Sequence, residues 1–174
     1  ALDHFPVSVK DKVVMDVGAS TGGFTDCVLQ YGAKKVYAID VGYNQLVDQL
    51  KSDPRVENHE KTNIKDVNAE DFKDVQIIVT DVSFISLTKI SYKFAELLHP
   101  NDYLIALIKP QFELGATIIK KCKGVVKDEK LREEAKDNVI ADMQLHNLKL
   151  IDIALSPIKG TEGNVEYIAL FKKL

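Results

Sequence analysis

A chain of 174 residues that is 45% hydrophobic and 28% charged has the balance of one soluble globular domain with a real core. Its net charge of −3 argues against a protein that coats nucleic acid with its whole surface, while leaving room for a local basic groove. The longest apolar run, YLIALI, is far below the roughly 20 residues of a membrane span, and residues 1–15 lack the apolar core of a signal peptide, so a cytoplasmic location and no membrane partner are expected.

Strand-like and helix-like segments alternate. KVVMDVG (12–18) is a β-branched run that ends in the turn DVGASTGG (16–23). A helix follows over 23–33, with Phe24, Cys27, Val28 and Tyr31 at helical spacing and Gly32 as its stop. Residues 35–40 read as the second strand, 43–50 as a short helix closed by Ser-Asp-Pro, and 56–61 as a weak third strand. VQIIVTD (75–81) is the fourth strand, and a helix over 86–98 carries Leu87, Ile90, Phe94, Leu97 and Leu98 on one face. YLIALIK (103–109) is the fifth strand, and Asp128 N-caps a helix reaching about residue 147. Two strands, 148–155 and 165–171, close the chain as a long antiparallel hairpin. The order implies an α/β fold, a mostly parallel sheet with helices on both faces and one antiparallel strand at its end. Ligands of such sheets sit past the carboxyl ends of the strands. That singles out Asp16 to Gly23, Asp40, Asp81 and Lys109.

The glycines of the turn, Gly18, Gly22 and Gly23, space as G-x-x-x-G-G, with Ser20 where a dinucleotide fingerprint has its middle glycine. A side chain there crowds a diphosphate. Asp16, expected at the mouth of the pocket, repels phosphate and suits an ammonium group. S-adenosylmethionine has an ammonium, a sulfonium, a ribose and an adenine but no phosphate, and it fits better than NAD. Asp40, 18 residues after Gly22, can accept both ribose hydroxyls. Asn63 is a candidate for the adenine edge; a plain turn-capping role is the alternative for both. The expected cofactor set is Asp16, Gly18, Ala19, Ser20, Gly22, Gly23, Phe24, Asp40, Val41, Asn63 and Asp81.

Lys109 follows a nearly apolar strand and precedes Pro110, a poor position for a solvated lysine. Beside Asp81 in a cleft it can take or steer a proton; the plain alternative is an ion pair that ties two strand ends together. Glu166, between Val165 and Tyr167, faces opposite to both. An inward carboxylate needs a cation, and Lys109 is its natural partner. Cys27 and Cys122 have no metal-ligand spacing and the four histidines are scattered, so no metal is expected.

The segments DVGASTGGFTDCVLQYGAKKVYAIDVGYNQL, TDVSFISL, LIKPQFE and GNVEYIAL resemble the TlyA-like branch of the FtsJ/RrmJ-type RNA methyltransferases, some of which carry the label hemolysin. The resemblance runs over nearly the whole chain. It implies one Rossmann-like, S-adenosylmethionine-dependent methyltransferase domain over 1–174, with a seven-stranded sheet whose last strand is antiparallel. It also implies methylation of ribose 2′-hydroxyls in ribosomal RNA or ribosomal subunits, and an S4 RNA-binding domain ahead of this segment. The family's Lys-Asp-Lys-Glu set maps by motif onto Asp81, Lys109 and Glu166. Its first lysine belongs to an upstream segment; Lys10 and Lys12 stand too close to the first strand to supply it. The chain opens on Ala1 rather than methionine, so residues upstream are expected. Lys120, Lys121 and Lys123, past the fifth strand, are candidates for RNA phosphate contact, with a solvated loop as the alternative. The rival functions are a membrane-active hemolysin, a nicotinamide oxidoreductase and a non-catalytic RNA-binding domain. The first lacks a span or a long cationic amphipathic helix, the second lacks the middle glycine, and the third does not need Asp81, Lys109 and Glu166.

Overall fold

Strands covered on both faces read as unbroken apolar runs rather than as alternations. In the computed structural model, which describes residues 1–174, β1 (Val13–Val17) and β4 (Ile77–Thr80) are buried at every position. They lie side by side at the centre of a seven-stranded sheet. Outward from β1 come β2 (Lys35–Ile39) and β3 (Val56–His59); outward from β4 come β5 (Tyr103–Ile108), β7 (Tyr167–Lys173) and β6 (Leu148–Leu155). The first five strands are parallel, and β7 runs antiparallel to both of its neighbours.

Successive residues of each strand feed opposite layers of core. Val13, Met15 and Val17 of β1 join Ile78, Leu104 and Ala106 on one face, where α3 (Ser91–Leu97) and α6 (Glu129–Leu145) close the layer with Phe94, Leu97, Val139 and Met143. Val14, Ile77, Val79 and Ile105 point the other way, under Val28 and Leu29 of α1 (Gly23–Gln30). Asp128 caps α6 by accepting the Lys130 backbone N–H at 2.9 Å.

Several elements differ from the sequence reading. The helix at 43–50 shrinks to α2 (Asp48–Lys51), because Asn44 is left-handed at φ 53°. The helix at 86–98 divides into a 3-10 turn, Leu87–Lys89, and α3, with Ile90 at φ −130° between them. The stretch read as a basic loop begins with a helix, α5 (Ala116–Lys121), preceded by the short α4 (Pro110–Glu113). In α1 the buried face is Thr25, Val28 and Leu29, while Cys27 and Tyr31 are exposed. Phe24 and Cys27 line a cleft, with Phe24 also packed against the core, so the apolar spacing spans a cleft wall as well as a core face.

Candidate functional site

Strand order reverses between β1 and β4, since β2 lies on one side of the pair and β5 on the other. A crevice opens past their carboxyl ends. The glycine turn leaves β1 here and is tied to the end of β2 by the N–H groups of Gly18 and Ala19, which donate to the Ile39 carbonyl at 2.9 and 3.1 Å. Gly18 is left-handed (φ 81°), and a Cβ on it would stand 2.6 Å from the Asp81 carbonyl oxygen. The close approach of the turn to the end of β4 therefore requires glycine.

Asp40 folds back over the turn. Its carboxylate accepts the backbone N–H of Ser20 and of Gly42, each at 2.7 Å. An amide that would meet phosphate in a dinucleotide turn is thus already given to a carboxylate. Above it lies a cavity of about 450 Å³ lined by Gly18, Ser20, Asp40, Val41, Asn63 and Asp81, with Ile39, Ile64, Val82, Ile85 and Ile90 as apolar walls. It contains two carboxylates and no lysine, arginine or histidine. That composition rejects a diphosphate and suits a cationic nucleoside with an apolar ring. Asn63 uses its side-chain oxygen to cap the turn at Ile64–Asp66, accepting the Lys65 N–H at 3.0 Å, which leaves its amide nitrogen for a ligand.

Other members of the expected cofactor set lie elsewhere. Asp16 is not at the mouth of the pocket. It is fully buried beneath the turn, where Thr25 Oγ1 donates to its Oδ2 at 2.7 Å and its Oδ1 has no partner. Burial, with the charges of Asp81 and Asp40, pushes its carboxyl up to about 7 against the pull of Thr25's hydrogen bonds. Ala19 is part of the core. Gly22 faces Leu50 and Leu46, which fill the space its Cβ would need. Gly23 opens α1 and lines neither cavity.

A second cavity, of about 430 Å³, adjoins the first and holds Phe24, Lys109, Gln111, Phe112, Gly160 and Glu166. Asp81 and Ser83 line both cavities. Lys109, at the end of β5, forms an ion pair with Asp81 and donates to Ser83 Oγ at 3.2 Å. Lys109 and Glu166 are both buried. The β5–β7 register pairs Ile108 with Tyr167, so one further step sets Lys109 beside Glu166. Their side chains nonetheless part. Glu166 accepts from Gln111 Nε2 at 2.9 Å and makes no ion pair with Lys109, contrary to the partner assigned from sequence. Gly160 lies over that carboxylate, with no room for a side chain.

Three features went unread in the sequence. Phe84 is left-handed at φ 64°, 90% exposed, and packed on Phe112 with ring centroids 5.0 Å apart. Glu113 reaches from α4 to accept from Ser86 Oγ and, at 3.0 Å, from the Leu87 N–H, pinning the segment that carries Asp81 and Ser83. Burial raises the Glu113 carboxyl against those two bonds. Asn164 accepts the Val126 N–H and donates to the carbonyls of Gly124 and Thr161, each at 3.0 Å, clasping the loop before β7 to the loop after α5. The only signal for these was their position inside or beside motif stretches. Lys120, Lys121 and Lys123 are exposed and line neither cavity.

An open α/β sheet of this order, with a phosphate-rejecting nucleoside cavity joined to a lysine–carboxylate cleft, defines a methyltransferase of the Rossmann-like class. The chain belongs to the FtsJ-like methyltransferase family, whose model matches residues 1–173. It is 47% identical over 173 residues to hemolysin A of Brachyspira hyodysenteriae, covering 98% of this chain and 72% of that protein. It is 38% identical over 168 residues to the 16S/23S rRNA (cytidine-2′-O)-methyltransferase TlyA of Mycobacterium tuberculosis, covering 96% of this chain and 62% of that one. A solved structure described as a candidate hemolysin from Streptococcus thermophilus superposes with a TM-score of 0.94 at 41% identity, over 99% of this chain and 62% of that one. The cofactor of the class is S-adenosylmethionine, and the first cavity fits it: Asp40 could take ribose hydroxyls and Asn63 the base edge, the aliphatic walls suit the ring, and no cation lines the cavity to oppose the cofactor's positive charges. No helix is long and apolar enough to cross a membrane.

Proposed function

We propose that this protein transfers a methyl group from S-adenosylmethionine to a ribose 2′-hydroxyl of ribosomal RNA. The observation that carries the reading is the junction of the two cavities. The nucleoside cavity ends at Asp81, and the lysine paired with Asp81 faces the second cavity. Relatives named for cytidine 2′-O-methylation of ribosomal RNA support the substrate class.

When bound, S-adenosylmethionine supplies an electrophilic methyl on a sulfonium. The protein's part is to hold a weakly nucleophilic hydroxyl in line with that methyl and, as the O–C bond forms and the C–S bond breaks to leave S-adenosylhomocysteine, to ease the loss of the hydroxyl's proton to water in the cleft. Alignment is worth up to about 7–11 kcal/mol, and acid–base help adds about 10²–10⁴-fold. Lys109 orients the hydroxyl from the second cavity, and Asp81 fixes the ammonium. Glu166, held by Gln111, keeps a second carboxylate behind the acceptor. Lys120, Lys121 and Lys123 contact RNA phosphates. An S4 domain ahead of this segment and a cytoplasmic location belong to the same reading.

The test is incubation of the protein, with the residues ahead of this segment restored, with methyl-labelled S-adenosylmethionine and ribosomal RNA, followed by mapping of the labelled nucleotide. Label on a ribose 2′-oxygen is expected. Label confined to bases, or none at all from protein that binds S-adenosylhomocysteine, overturns the proposal.

A further inference from the structure

We infer that Ser83 touches the acceptor hydroxyl and fixes its rotation, a role that rests on the function proposed above. The methyl must cross from one cavity to the other, and of the residues lining them only Asp81 and Ser83 line both. Asp81 is committed to Lys109. Ser83 is exposed, and its Oγ accepts from Lys109 Nζ at 3.2 Å with no other side-chain bond. A serine hydroxyl carries one donor and two acceptor sites. With one lone pair turned to the ammonium, Ser83 keeps its second lone pair for a group in the cleft.

The group that belongs at this crossing is the sugar hydroxyl that Lys109 faces. When that hydroxyl donates its proton in a hydrogen bond to Ser83 Oγ, its own lone pairs point away from Ser83. Rotation about the C–O bond is then fixed, and a lone pair is free for in-line attack. The role is orientation, and no bond of Ser83 forms or breaks. The segment is rigid enough for it, because Glu113 pins Ser86 and Leu87 just downstream.

The test compares wild type, Ser83→Ala and Ser83→Thr on an oligoribonucleotide containing the mapped target and on a copy with 2′-deoxyribose there. Both are titrated with S-adenosylhomocysteine present, so that no turnover intervenes. Wild type is expected to bind the ribose form about fivefold more tightly, the worth of one hydrogen bond. Ser83→Ala is expected to keep only the part of that preference that Lys109 supplies, with kcat down about 10- to 100-fold. Ser83→Thr keeps the preference. A Ser83→Ala protein with undiminished preference and kcat overturns the inference alone. A wild type that methylates no ribose overturns the proposed function, and this role with it.

Discussion

Glu166 takes its hydrogen bond from Gln111 at 2.9 Å and leaves Lys109 to Asp81, although the strand register sets Lys109 beside Glu166. The cleft therefore holds a charged pair and a separate carboxylate on a neutral amide. The ammonium stays at the junction of the two cavities instead of withdrawing toward β7.

Lys109→Ala removes the cation at that junction, and Lys109→Arg replaces a point charge with a longer planar fork that cannot occupy the same place. Both variants are expected to bind S-adenosylhomocysteine as wild type does, since Lys109 does not line the nucleoside cavity. Both should lose at least about 100-fold in methyl transfer. Calorimetric titration and initial rates check the two halves, and normal turnover by either variant refutes the role of Lys109.

Gly160→Ala tests whether the place of Glu166 matters. The added Cβ would stand 2.0 Å from Glu166 Oε1 and 3.2 Å from Gln111 Nε2, so the carboxylate must move. The expected result is a loss of rate similar to that of Glu166→Ala, with the cofactor affinity kept. An active Gly160→Ala enzyme would show that this carboxylate has no positional task.

The ends of β2, β4 and β5 are legible in the sequence because strands buried on both faces read as apolar runs, and a polar residue that stops such a run lies at the rim of the sheet. Asp40, Asp81 and Lys109 stand out that way. The depth of Asp16 is not legible, because it depends on α1 turning Thr25 inward over it. Nor is the partner of Glu166, since strand register predicts which residues are adjacent and not which way long side chains bend. Ser83, Phe84 and Gln111 carry no spacing signal of their own; only the fold gathers them around Asp81 and Lys109.

Phe84, in the wall of the first cavity, offers an exposed ring backed by Phe112 of the second. Its left-handed backbone turns it outward, and 90% exposure gives it little part in stability. Stacking of a nucleobase on such a ring is worth about 1–3 kcal/mol. Phe84→Ala should weaken RNA binding about 5- to 100-fold, with little change in melting temperature; Phe84→Tyr should restore it. RNA titrations and thermal melts decide the point.

Lys120 and Lys121 stand exposed at the end of α5. If each neutralises one phosphate, reversing both to glutamate should weaken RNA binding and flatten the plot of log affinity against log salt by about 0.7–0.9 per lost contact. Binding measured from low to moderate salt tests this, and an unaltered slope assigns the two lysines to a solvated face.

Asp16 makes stability depend on pH in a particular direction. Burial first, then the charges of Asp81 and Asp40, raise its carboxyl from 3.8 to about 7 in the folded protein, with Thr25 opposing. Between those values the native state holds a proton that the unfolded chain has released. Stability from this group is therefore complete below about pH 4 and is lost as the pH rises through about 7. With about 1.36 kcal/mol lost for each pH unit between the two values, the whole amounts to about 4 kcal/mol. Asn cannot ionise, and Asp16→Asn can still accept the Thr25 hydroxyl, so the variant should lack this slope. Urea unfolding at pH 5 and pH 8 is expected to show wild type losing about 2–3 kcal/mol more than Asp16→Asn between the two, because the loss stops once the folded group also ionises at about 7. Equal pH dependence in both proteins would mean that Asp16 folds as a carboxylate, its charge met by something other than Thr25.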